Sequence, residues 1–157
     1  MSKLNVDQQT IDNYKFYNGR PITKSMLAWW AFQNDKQELL SLETKFEIEH
    51  IFARNRLSKE KGMKDKNNLD SLGNKSLLEK RINIRASDYR FADKTKYYLG
   101  FVNNKDQKKE GTKVQELIHL ADNNKDFLES DIKDRYKKIV ENFLAYLFAN
   151  DLLRKGV

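Results

Sequence analysis

Hydrophobic positions follow a helical pattern in the first and last parts of the chain. Residues 26–32 are apolar on nearly every side, so we expect a buried helix from about Ile22 to Phe32, after the turn at Pro21. Apolar residues three and four positions apart predict a short helix after Thr112 and a long one after Ser130. Both of these hydroxyl side chains are suited to cap the helix that follows them.

Short strands are predicted in the middle of the chain. Residues 46–52 alternate between apolar and polar at their start and are rich in β-branched and aromatic side chains. Residues 75–78, after the turn-forming pair Gly73-Asn74, predict a second strand. Between the strands we expect a polar loop at 54–71, and after them a helix from Glu79 and another at 89–99. This order predicts an α+β protein that is mostly helical.

The chain of 157 residues has the length of one domain. We divide it into an N-terminal helical segment (1–40), a central core (41–100) and C-terminal helices (101–157). It contains no cysteine, which excludes thiol catalysis and cysteine-ligated zinc, and we expect a cytoplasmic location. The longest apolar run has seven residues, far fewer than the ~20 that span a bilayer, so we expect no membrane segment.

Basic residues are concentrated in the centre of the chain. The formal net charge is +7, and residues 51–96 alone carry thirteen lysine and arginine side chains against six acidic ones. A solvated surface is one explanation, above all for the lysine-rich loop at 59–66. A surface that binds the phosphates of a nucleic acid is the other. Charge alone does not choose between them.

One set of residues in and beside this basic region has the chemistry of phosphodiester hydrolysis. His50 follows Glu49 near the end of the first predicted strand, and Asn74 and Asn83 come later in the chain. A carboxylate and an amide oxygen can hold one hydrated hard cation, and a neutral imidazole can deprotonate a water. Each residue alone also has an ordinary structural explanation, such as a turn, a helix cap or an ion pair. The other histidine, His119, is predicted to face water and receives no role.

The order of these residues resembles a known family. The chain contains Ile48-Glu49-His50-Ile51, then Leu72-Gly73-Asn74-Lys75-Ser76-Leu77-Leu78, then Asn83, then Phe91-Ala92-Asp93-Lys94. This succession is similar to that of the C-terminal nuclease domain of GmrSD-type restriction proteins. That family belongs to the HNH, or His-Me finger, endonucleases. The resemblance implies a small ββα-metal core with flanking helices.

The resemblance also implies a role for each residue of the motif. His50 is the expected general base, and Asn74 is expected to brace the loop and orient His50. Glu49 and Asn83 are expected to hold one divalent cation, Mg²⁺ or Mn²⁺, because asparagine is a weaker ligand than histidine. Lys94 is expected to neutralise phosphate charge. The expected substrate is DNA, and the candidate cations for binding it are Lys75, Arg81, Arg85, Arg90 and Lys94.

Alternatives to an active nuclease remain open. The first is a catalytically inactive, basic nucleic-acid-binding module, and the second is an interaction domain within a larger restriction or toxin system. Relatives of the GmrSD type carry a regulatory nucleotide-binding domain, which residues 1–40 do not resemble, so we expect that partner in cis in a longer protein or in trans. Geometry raises a further question. Successive residues of a regular strand point to opposite faces, so Glu49 and His50 meet at one phosphate only where the strand ends or twists.

Overall fold

The computed structural model describes residues 6–60 and 62–153. Within them the fold is α+β, as the sequence pattern predicts, with two small antiparallel sheets. The helices are α1 (Gln8–Asn13), α2 (Pro21–Ala31), α3 (Arg54–Lys59), α4 (Lys80–Ala86), α5 (Phe91–Leu99), α6 (Gln115–Asn123) and α7 (Glu129–Ala149). The strands are β1 (Phe46–His50), β2 (Lys75–Glu79), β3 (Gly100–Val102) and β4 (Lys108–Glu110), and the 3₁₀ turns Lys66–Asp70 and Leu72–Asn74 precede β2.

The pair of strands β1 and β2 lies between helices. The strands are antiparallel, with His50 opposite Lys75 and Phe46 opposite Glu79. Leu77 of β2 packs into a cluster with Met26 of α2 and Ile139 of α7, while its neighbour Leu78 belongs to a second cluster. That second cluster is built mainly from α4, α5, α6 and the start of α7. Helices therefore cover both faces of β2, which explains why its sequence is apolar without strict alternation.

The 3₁₀ turn Leu72–Asn74 packs closely against α7. A Cβ atom added at Gly73 would overlap the Ile132 carbonyl oxygen and would come within 2.8 Å of the Tyr136 nitrogen. Arg135, from the same turn of α7, is buried and donates hydrogen bonds to the carbonyl oxygens of Gly73 (2.9 Å) and Lys75 (2.6 Å). The glycine in the Gly73-Asn74 pair is therefore required by the close approach of two backbones.

Several predicted boundaries and caps differ from the structure. The first strand ends at His50 instead of residue 52, and the predicted 54–71 loop contains α3 and a 3₁₀ turn. Neither α1 nor the β3–β4 hairpin is predicted, because these elements are short and carry little periodic pattern. Thr112 does not cap α6: its hydroxyl donates to Glu79 and accepts the Val114 N–H. Ser130 lies inside α7, and Asp131 accepts the N–H of Leu128 at that helix start.

Across the residues that the structure describes, no helix is both long and apolar enough to cross a membrane.

Candidate active site

A small pocket lies at the end of β1. Its volume is about 200 Å³. Four of the residues that the sequence predicts for the site line it: Glu49, His50, Asn83 and Lys94. Because β1 ends at His50, residues from both faces of the strand meet at this pocket. The other lining residues are Ile48, Arg54, Ser87 and Asp88.

His50 makes its side-chain contact with an acid that the sequence does not single out. Its Nε2 lies 3.1 Å from Oδ1 of Asp70, and only 11% of the side chain is exposed. Burial lowers the pKa of His50, the hydrogen bond to Asp70 opposes this, and the charges of Arg54 and Lys75 lower it further. The net shift is downward, so the imidazole is neutral at pH 7 and able to accept a proton.

Two cations surround the Asp70 carboxylate. Arg54 Nη2 lies 3.2 Å and Lys75 Nζ 3.9 Å from Asp70 Oδ1. Partial burial alone would raise the pKa of Asp70, but the hydrogen bond from His50 and the charges of Lys75 and Arg54 hold it below its ordinary value. Asp70 is therefore ionised at neutral pH and accepts hydrogen bonds only.

Glu49 points to the other side of β1 and is buried against α5. Its Oε1 accepts a hydrogen bond from Lys94 Nζ at 3.0 Å, and its Oε2 accepts one from the Tyr98 hydroxyl at 2.8 Å. Lys94 also donates to the backbone oxygen of His50 at 2.7 Å. Burial raises the pKa of Glu49, although Lys94 and Tyr98 oppose that shift. Lys94 thus contacts both Glu49 and His50, the two residues that are central to the predicted site.

Asn74 is fully buried and joins the two segments that carry His50 and Asp70. Its side-chain oxygen accepts the N–H of Phe52 at 2.7 Å. Its side-chain nitrogen donates to the carbonyl oxygens of Phe52 (3.0 Å) and Leu69 (2.9 Å). The side chain therefore bonds to the backbone two residues after His50 and one residue before Asp70. These bonds occupy the amide of Asn74, and Asp70 makes the contact to the His50 ring.

Asn83 extends from α4 toward the same pocket. Its side-chain nitrogen donates to Oε2 of Glu47 at 2.8 Å. This bond orients the amide and does not use the oxygen, which is the atom a cation would need.

The donor chemistry of the pocket fits a hard, largely hydrated cation. Glu49 and Asn83 supply the oxygen atoms that Mg²⁺ and Mn²⁺ prefer, and the Asp88 carboxylate lines the same pocket. Each oxygen of Glu49 accepts one bond from the protein and keeps a further lone pair. Among residues 6–60 and 62–153, no cluster of three or more His, Cys, Asp or Glu side chains has the arrangement of a metal site. The pocket therefore suits a cation that is bound by few protein ligands and several water molecules.

The five predicted DNA-binding cations do not form one surface. Lys75 and Lys94 are 1% and 0% exposed, and Lys75 Nζ donates to the Phe16 carbonyl oxygen at 2.6 Å. Arg81 is exposed but lines a different groove, of about 780 Å³, and Arg85 is half-buried. Arg90 is exposed and pairs with Glu60. The exposed cation that lines the pocket is Arg54, which lies in the segment that the sequence predicts as a polar loop.

Three residues at the site are missed by sequence reasoning. Arg54 and Asp70 lie in the segment predicted as a polar loop, and Asp88 lies just before the helix predicted at 89–99. Asp70 is 20 residues from His50, and no periodic pattern links them. The one weak signal in the sequence is that Asp70 is one of only six acidic residues in a segment, 51–96, that has thirteen basic ones.

Comparison with known proteins gives one match. A family model described as the C-terminal domain of GmrSD restriction endonucleases matches residues 6–142. No curated protein and no solved structure gives a significant match. The matched segment includes β1, β2, α4, α5 and every residue that lines the pocket.

Proposed function

The chain belongs to the family of C-terminal domains of GmrSD restriction endonucleases, and we propose that it hydrolyses phosphodiester bonds of DNA at the pocket beside His50. Membership makes it a nuclease domain related to restriction endonucleases. The observation that supports the site is the convergence of Glu49, His50, Asn83 and Lys94 on one pocket, although 45 residues separate the first from the last. The chain order β1, β2, α4, in which β2 pairs with β1 and α4 brings Asn83 to the pocket, supports a ββα-metal core.

In the proposed reaction His50 is the general base. Its neutral imidazole takes a proton from the water that attacks the phosphorus atom. Arg54, exposed at the rim of the pocket, attracts the phosphate. Lys94 acts from within the protein, since its ammonium bonds to Glu49 and to the His50 backbone and sets the position of both.

Glu49 and Asn83 are the proposed ligands of one Mg²⁺ or Mn²⁺, which when bound supplies positive charge for the scissile phosphate. Tyr98 and Lys94 orient the Glu49 carboxylate through one hydrogen bond to each oxygen. Glu47 orients the Asn83 amide through its nitrogen. Both ligands are therefore held by neighbouring side chains, an arrangement typical of metal sites.

A second candidate function is DNA binding without cleavage. It is favoured by one observation: Lys94 already neutralises the buried Glu49 carboxylate. A cation that competes with this ammonium would bind less tightly than one at an unpaired carboxylate. Metal-dependent cleavage distinguishes the two functions.

The test is incubation of the protein with supercoiled plasmid DNA in Mg²⁺, in Mn²⁺ and in chelator. We expect nicking or linearisation with metal and none with chelator. His50→Ala should lower the rate by about 10²–10⁴-fold, the usual contribution of a general base. The matched control is His119→Ala, because His119 is the other histidine and is exposed on α6.

Three outcomes are informative. Loss in His50→Ala with full activity in His119→Ala supports the assignment. Full activity in His50→Ala removes His50 from the reaction. DNA retention by the unaltered protein without cleavage in any metal favours the binding module.

A further inference from the structure

The ring of His50 makes its side-chain hydrogen bond to Asp70, which the family motif does not include. The bond runs from Nε2 to Oδ1 over 3.1 Å. An ionised carboxylate accepts hydrogen bonds and donates none, so the hydrogen of a neutral imidazole must sit on Nε2. Nδ1 then carries the free lone pair.

We infer that Asp70 is the positioning residue of the site: it holds His50 in the Nε2–H tautomer, so that Nδ1 is the atom that accepts the proton from water. This deepens the proposed function and rests on it for the role of the proton. The geometry of the ring does not rest on it. Partner groups on the second nitrogen of a histidine commonly determine which nitrogen reacts.

Asp70 is held in place from several directions. Arg54 and Lys75 lie 3.2 Å and 3.9 Å from the same oxygen that faces His50. Asn74 binds the carbonyl oxygen of Leu69, the residue before Asp70, and both backbone groups of Phe52, two residues after His50. The distance between the acid and the imidazole is therefore determined by buried backbone contacts, although half of the Asp70 side chain is exposed.

The direct test is nuclear magnetic resonance of the two histidines. Long-range ¹H–¹⁵N spectra at pH 8, where the lowered pKa of His50 keeps its ring neutral, distinguish a protonated Nε2 from a protonated Nδ1. We expect His50 of the unaltered protein to show only the Nε2–H form. Asp70→Ala should give a mixture of tautomers at His50, while Asp70→Asn, which keeps an acceptor oxygen, should retain the Nε2–H form. His119 reports on the solution conditions in the same spectra.

Cleavage kinetics supply the second readout. In Asp70→Ala, kcat should fall about 10–100-fold, the usual effect of losing such a partner. KM for DNA should not rise, because removing a negative charge beside the pocket cannot weaken phosphate attraction. Asp70→Asn should recover part of kcat. The control is Asp122→Ala, which removes an exposed carboxylate from α6, outside the pocket.

The outcomes separate this inference from the proposed function. A His50 hydrogen on Nδ1 in the unaltered protein overturns the inference, as does a tautomer that is the same in Asp70→Ala. Expected tautomers without cleavage in any metal would leave the ring geometry correct and refute the nuclease. A raised KM with unchanged kcat in Asp70→Ala would mean that Asp70 acts on DNA binding and not through His50.

Discussion

Replacement of Asn74, a residue of the family motif, should lower the stability of the fold. Its side chain is 0% exposed and makes three hydrogen bonds, all to backbone groups of Phe52 and Leu69. Asn74→Ala removes all three bonds and leaves one N–H and two carbonyl oxygens without these partners inside the protein. The methyl group that remains cannot replace any of them.

The expected loss of unfolding free energy follows from these contacts. A neutral hydrogen bond contributes about 1 kcal/mol net, and a buried polar group left without a partner costs about 1–3 kcal/mol. Three such groups give an expected loss of about 3–5 kcal/mol, since entry of one water would satisfy part of the set. For a chain of this length, that corresponds to a fall in melting temperature of roughly 6–20 °C.

The assay is urea denaturation, monitored by tryptophan fluorescence at constant pH. Asn67→Ala is the matched control, because Asn67 lies in the same segment but is exposed, and we expect it to change stability by less than about 0.5 kcal/mol. A loss of under about 1 kcal/mol in Asn74→Ala would refute the argument, because even the net value of three hydrogen bonds exceeds it.

Three further predictions concern pH, metal and salt. The Asn68 side chain and the N–H groups of Asp65 and Lys64 lower the pKa of Glu129 from its usual 4.5 to about 2. A carboxylate whose pKa is lower in the folded than in the unfolded protein stabilises the fold at every pH above its unfolded pKa. Glu129→Gln should therefore reduce the free energy of unfolding at neutral pH. The difference in unfolding free energy between the variant and the unaltered protein should shrink as pH falls from 4.5 toward 2, which acid titrations of stability measure. Asn83→Ala should raise the Mg²⁺ concentration needed for half-maximal cleavage, and an unchanged metal curve would exclude it as a ligand. Affinity for duplex DNA should fall steeply with salt and depend little on sequence, which binding titrations at several salt concentrations measure; a slope near zero would exclude a phosphate-binding surface.

Local patterns were sufficient to predict the elements that carry Glu49, His50, Asn83 and Lys94, but not those that carry Arg54 and Asp70. The first strand and the helices are predicted because apolar periodicity reports burial on one face. The second strand is buried on both faces and is predicted from a short apolar run that follows a turn. The strand end at His50 was not visible in the pattern. Ile51 and Phe52 remain apolar and fully buried beyond it. Only the hydrogen bonds that their N–H groups donate to the backbone and side-chain oxygens of Asn74 show where strand pairing stops.

Charge was the property that the sequence described least well. The excess of positive charge at 51–96 predicts a phosphate-binding face, yet Lys75 and Lys94 are buried and Arg56 is bound to Asp126 and Glu60. A count of lysine and arginine cannot separate a cation that pairs inside the protein from one that faces solvent. Arg54 is the reverse case, an exposed cation at the pocket that the count does not distinguish from its neighbours.

The amino-acid sequence by itself determined the α+β class, the central strands and the order of acid, imidazole and amide on which the resemblance to the family rests. Only the tertiary structure decided which groups touch: Asp70 at His50, and Lys94 with Tyr98 at Glu49. The physical reason is separation along the chain. These contacts join residues 20, 45 and 49 positions apart, so they depend on how helices pack over the two strands and not on any local periodicity.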